Sequence, residues 1–199
     1  MAPKQTPSQT IGPFFAYGLT PKDYGRHGIA SNVLTTKETL GERVTIEGRV
    51  LDGAGDPVPD AMIEIWQANS AGRYAHPADR REEVARDDNF QGFGRAHTGD
   101  DGGFYFETIK PGRVPGPGNS LQAPHVGVIV FARGMLSHAY TRLYFSDETA
   151  ANEEDPLLGA IEADRRGTLI AAREDLDSGL VYRFDILLQG ERETVFLDV

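Results

Sequence analysis

The chain has no cysteine, which removes disulfide frameworks, zinc ribbons and thiol nucleophiles together and fits a protein of the reducing cytoplasm. It has no run approaching the ~18 apolar residues that a membrane-crossing helix requires. Its opening, MAPKQTPSQT, carries one lysine and none of the apolar stretch that a secretory leader needs. Basic charge is short: 20 Lys and Arg stand against 30 Asp and Glu, for a formal net charge of −10. Phosphate backbones and anionic membranes are met by clustered cations, so neither nucleic acid nor a membrane is an expected partner. A phosphate loop, a dinucleotide fingerprint, an HExxH helix and a nucleophile elbow are all absent, as is any internal repeat. What the chain has in quantity is Gly and Pro, 23 and 12 of its 199 residues, the punctuation of many turns between short strands. The length suits one domain with a proper core.

Residues 1–40 are broken by Pro3, Pro7, Gly12, Pro13, Gly18, Pro21, Gly25 and Gly28, which predicts an extended arm. Ile11, Phe14, Phe15 and Tyr17 make it too apolar for a solvated tail, so the arm is expected to pack on its own domain or on a neighbour. From Val44 onward the pattern is β. RVTIEGRVLD alternates, with a possible bulge at Gly48, and AMIEIWQAN, GRAHTG, GFYFETI, APHVGVIVF, HAYTRLYF, LVYRFDILLQG and ETVFLDV read as further strands. Residues 69–93 form a long polar connection, of the kind that is functional or lies against a partner. Helix is expected only near 153–175, as one or two short turns carrying Leu157, Leu158, Ile161, Leu169 and Ile170. The expected fold is all-β, a β-sandwich over 41–199 preceded by the arm.

Single motifs say little about chemistry. The five histidines, His27, His76, His97, His125 and His138, lie outside any spaced metal motif. The pairs Asp87–Asp88, Asp100–Asp101 and Glu153–Glu154 read as turns or caps rather than as an acid–base pair. On the residues alone, a sandwich module that only binds remains open beside an enzyme.

Combinations are sharper. TPSQTIGPF (6–14), WQANSAGRY (66–74), FETIKPGRVPG (106–116), APHVGVIVFARG (123–134), TRLYFSDE (141–148) and YRFDILLQGERETVFLDV (182–199) resemble, in collinear order over most of the chain, the intradiol ring-cleaving dioxygenases. The resemblance implies a β-sandwich and a mononuclear non-haem Fe(III) held by two tyrosinates and two histidines, hard anionic phenolates being suited to the ferric ion. One tyrosine position is matched by Tyr74. The second falls at Val114, in KPGRVPG. The histidines come as H-x-H on a strand, where alternate residues share a face; here the segment reads His125-Val126-Gly127. The family's cationic arginine ahead of the histidines is replaced by Gln122.

With two of four donors replaced, the resemblance implies a chain that holds no metal and has no catalytic residue of its own. It would be the alpha-type member of a multi-copy alpha–beta hetero-oligomer, paired with a homologous beta subunit that carries the Fe(III). The implied substrates are 3,4-dihydroxybenzoate and O2, and the product is the ring-opened muconate. The residues implied to reach the beta subunit's substrate are Arg133, whose guanidinium can meet a carboxylate in bidentate fashion, and Gly12, Pro13 and Phe14 of the arm, whose glycine permits close backbone approach.

Overall fold

A computed structural model describes residues 17–28 and 30–198. Eleven strands and two short helices follow in order: β1 (Arg43–Leu51), β2 (Met62–Trp66), β3 (Phe93–His97), β4 (Gly103–Ile109), β5 (Val114–Pro115), β6 (Leu121–Gln122), β7 (His125–Phe131), β8 (Ala139–Phe145), α1 (Thr149–Glu154), α2 (Pro156–Ala160), β9 (Ile170–Leu176), β10 (Gly179–Arg183) and β11 (Ile186–Leu187).

Two layers face each other. In one, β4-β1-β10-β9 lie side by side, with β11 extending the β1 edge; in the other the order is β3-β2-β7-β8. The layers join at both sides. The start of β9 pairs with β8 in parallel, Tyr144 opposite Ile170. The Thr98–Gly102 turn carries β3 into β4, with Gly102 in the left-handed region at φ 72°. Alternation along each strand aims one face inward. Val44, Ile46 and Val50 of β1, Phe104 and Phe106 of β4, Ile63 and Ile65 of β2, Val126, Val128 and Val130 of β7, and Leu143 and Phe145 of β8 form the shared core. A second, smaller cluster of Ala123, Tyr144, Ala151, Leu158 and Leu169 seats the helices. Asp155 caps α2, accepting from the backbone N–H groups of Leu157 and Leu158, and Pro156 follows at its first turn.

Residues 31–34 of the arm lie along the domain's own sheets. The Ser31 carbonyl accepts from Arg95 N–H on β3, while Asn32 and Leu34 exchange backbone hydrogen bonds with Glu107 on β4.

Three expectations need correcting. Gly48 makes no bulge, for β1 runs in unbroken register with β4 from Arg43 to Arg49. A Cβ there would lie 1.8 Å from the Phe184 carbonyl oxygen, so close approach of another backbone is what requires glycine. The helical region ends before its expected limit: the two α-helices occupy 149–160, a single 3-10 turn follows at Arg166–Leu169, and 170–176 is strand β9 in a hairpin with β10. Residues 194–198 near the C-terminus join no ladder. They are held by single bonds, Thr194 N–H to the Leu187 carbonyl and Leu197 N–H to that of Tyr140.

Candidate functional site

The face of β2-β7-β8 turned away from the core carries the residues of interest. Because Val126 and Val128 point inward, His125 and Gly127 point out. Register sets their neighbours. Trp66, Gly127 and Arg142 lie in one row across three strands, and His125 is opposite Tyr144.

Tyr74 arrives on the 67–92 connection. Asn69 organises its start: its side-chain oxygen accepts from the N–H groups of Ala71 and Arg73, and its amide donates to the Ala85 carbonyl. Gly72 is left-handed at φ 81°, and a Cβ on it would be 2.0 Å from the Arg113 carbonyl oxygen. Gly112 N–H donates to the Asn69 carbonyl at 2.9 Å. The GRY and KPGRV segments are thus clasped backbone to backbone, and this brings Tyr74 and Val114 to the same place. Beyond the clasp, Tyr74 stacks on Trp66 with ring centroids 5.8 Å apart. Its N–H donates to Asp79, which also takes a two-pronged contact from Arg81. Arg81 holds the Asp79 carboxyl far below the usual carboxylate range. The connection is therefore built rather than loose, and buried Asp87 serves as an internal cap for Leu40 and Asn89.

Val114 is buried and pairs with Gln122 across the small β5-β6 ribbon. Trp66, Tyr74, Val114, Pro115, Gln122 and Arg81 line one open cleft of about 730 Å³. His125 lies beneath, 6% exposed, its Nδ1 2.8 Å from the Ala123 carbonyl oxygen. A carbonyl only accepts, so Nδ1 carries a proton. Burial, helped by the Arg142 charge, pushes its pKa down to about 4. Asp155 fixes the approach to this histidine by accepting from the Ala123 N–H and the Tyr144 hydroxyl.

The cation of the cluster is Arg142. Its guanidinium donates to Gln122 Oε1 at 2.5 Å, is hydrogen-bonded with Tyr140 and Tyr144, and acts on both Tyr74 and His125. Burial raises the phenol pKa of Tyr74 more than this cation lowers it, so the hydroxyl stays protonated at neutral pH.

These residues do not fit a mononuclear ferric centre. Tyr74 and His125 offer one oxygen and one nitrogen, and the side chains of Val114 and Gly127 offer nothing. A Cβ on Gly127 would sit 3.2 Å from the Tyr140 hydroxyl and 3.4 Å from the Trp66 carbonyl. A guanidinium already carries the local positive charge. Among the described residues no group of three or more His, Asp or Glu is placed to hold a metal.

Arg133 is not part of this cluster. It follows β7 at the end opposite His125, and its guanidinium is 3.7 Å from Asp60. The antiparallel register of β2 and β7 (Met62 opposite Phe131), carried two residues on, places Asp60 across from Arg133. Gly12, Pro13 and Phe14 lie outside the described residues. Sequence reasoning overlooked Arg142 and Tyr140. The signal was there: Tyr140, Arg142 and Tyr144 alternate with core residues, a charge between two phenols on the strand beside HVG.

Residues 12–190 match the protein family described as Dioxygenase. The chain is 48% identical to the protocatechuate 3,4-dioxygenase alpha chain of Burkholderia cepacia, over 98% of each chain. It is also 38% identical to the beta chain of that organism's enzyme, over 90% of this chain and 77% of the other. Among solved structures it resembles the dioxygenase domain of a carbohydrate-binding fusion from Streptomyces sp. SirexAA-E, with 25% identity, a TM-score of 0.59, and coverage of 94% and 97%.

Proposed function

The chain belongs to the intradiol ring-cleavage dioxygenase family, an iron-dependent family, and from that premise we propose that it is the alpha subunit of a protocatechuate 3,4-dioxygenase. In this reading the Fe(III) is held by a homologous beta subunit. This chain shapes the mouth of that site, where O2 opens 3,4-dihydroxybenzoate to 3-carboxy-cis,cis-muconate in the cytoplasm. The observation that carries the reading is the rebuilt donor set: Tyr74 and His125 remain in place, while Val114 and Gly127 stand where a metal-binding relative needs donors, beside the Arg142 cation. No step of ring cleavage then runs through this chain's own residues 74, 114, 125 and 127.

The chain's contribution is to binding. Arg133 is the residue for the substrate carboxylate, a planar fork against a planar anion. Its present partner, Asp60, leaves it available. Both side chains are largely exposed, 59% and 44%, and an exposed ion pair at this separation contributes at most about 1 kcal/mol. Gly12, Pro13 and Phe14 would wall the same pocket, with the 1–40 arm reaching the beta subunit beyond the stretch that lies on β3 and β4. An unrelated binding module has no observation in its favour once the family is fixed.

The test is co-expression with the homologous chain that carries the complete donor set, followed by separation of the two and metal analysis of each. The expected result is a stable complex whose ferric iron and tyrosinate-to-iron absorption travel with the partner. Failure of the two chains to associate, or iron that stays with this chain, would overturn the reading.

A further inference from the structure

The polar groups around the row Trp66, Gly127, Arg142 converge on one guanidinium. Arg142 donates to Gln122 and is hydrogen-bonded with Tyr140 and Tyr144, and its field reaches Tyr74 and His125. A guanidinium is weakly hydrated, always charged and rich in directed donors, so it tolerates partial burial among phenols and amides. Phenol oxygens and an imidazole gathered round one partly buried cation are also what a ferric ion would organise. The arrangement reaches the neighbouring position too. Tyr140, bonded to Arg142, holds its hydroxyl 3.2 Å from the place a side chain at 127 would begin.

We propose that Arg142 has taken over the metal's place as the cation of this site, so that iron is excluded by an occupant and not merely by two missing donors. The inference rests on the family and the geometry, and is independent of which catechol the assembled enzyme cleaves. Its consequence is specific. Restoring the absent donors with Val114→Tyr and Gly127→His leaves the guanidinium competing for the same space and charge, and leaves Tyr140 pinned against the new imidazole. Neutralising Arg142 in that background removes the competing charge and lets Tyr140 swing aside.

The experiment uses the full chain in five forms: V114Y/G127H alone, and with R142Q, R142M, R142K or Y140F added. Each is refolded or expressed with ferrous iron under air, checked for native circular dichroism and thermal unfolding, then assayed for bound iron and for tyrosinate-to-ferric absorption. With Arg142 kept, iron is expected at background. With R142Q or R142M it should rise by roughly tenfold or more, the scale on which neighbours of a metal ligand act. R142K, which retains the charge, should stay near background. Equal loading with and without Arg142, loading of R142K as full as that of R142Q, or no loading in either folded neutral variant each overturns the proposal. Two neutral replacements are included so that one that fails to fold leaves the other to decide. If a Y140F change with Arg142 retained loads as well as R142Q, the block lies in the tyrosine hydroxyl and the proposal is likewise overturned.

Discussion

His125 shows how far one residue can be traced from sequence to energetics. Its place on the outer face of β7 follows from alternation, and its neutral state follows from burial beside a cation, which outweighs the opposing pull of the Ala123 carbonyl. In the unfolded chain the imidazole protonates near pH ~6.5; in the fold it does so at about 4. Between those values the unfolded state binds the extra proton. Its contribution to stability is therefore complete above ~6.5 and lost as pH falls toward 4, by an order of 3 kcal/mol in all. Urea unfolding from about pH 7 to about pH 4.5 should show that decline, and a His125→Gln variant should show a flatter one. Equal slopes in the two proteins would mean that the histidine is not held neutral. Tyr74, Val114, His125, Gly127 and Gln122 were all legible as positions in the sequence. Arg142 was visible as a charge between two phenols, but its role was not, because that comes from a strand pairing that only the fold supplies.

At the scale of elements, legibility followed periodicity. β1, β2, β4 and β8 alternate over five or more residues and β7 is a continuous apolar run, and all five were read as strands. β9 was taken for helix because Leu169 and Ile170 continue an apolar spacing begun at Leu157, and only its pairing with β10 decides otherwise. β5 and β6 are two residues each, too short for any pattern. Gly48 was seen but misread, since the Phe184 carbonyl that requires it lies 136 positions away. Gly48→Ala should cost about 3 kcal/mol or more, because a methyl cannot be accommodated against a backbone oxygen; a loss under about 1 kcal/mol would show that the two strands can part there. The layers are also tied by charge. Lys110 after β4 contacts Asp147 and Glu148 after β8, while Arg173 of β9 and the Tyr182 hydroxyl of β10 donate to the same Asp147. Burial opposes ionisation of Asp147, yet these three donors outweigh it and bring its pKa to about 2. Asp147→Asn keeps the shape and loses the charge, so thermal unfolding should report a loss of about 1–3 kcal/mol. An unchanged Tm would make the network ornamental.

For the whole molecule, the question is why a chain keeps a cleft, a tyrosine and a histidine that no longer assemble a metal site. The sandwich explains part of it. Tyr74 and Trp66 stack, the Gly72–Gly112 clasp fixes two connections, and Asp155 joins α2 to β7, so the old frame still stabilises the outer face whatever it binds. Arg133 lies at the far end of β7 from that frame, on a short connection where its ion pair with exposed Asp60 is weak, and is suited to act on a neighbour. In the assembled enzyme, Arg133→Ala should remove one charge-assisted contact to the substrate carboxylate, about 1.5–3 kcal/mol. That corresponds to a roughly 10- to 100-fold fall in kcat/KM, carried mainly by KM, since the contact is made equally in ground and transition states. Iron content and chain pairing should not change. The same variant assayed on catechol, which lacks the carboxylate, should be indistinguishable from the parent enzyme. A matching loss on both substrates would move Arg133 from substrate recognition to assembly, and unaltered kinetics on both would leave it no role in the pocket.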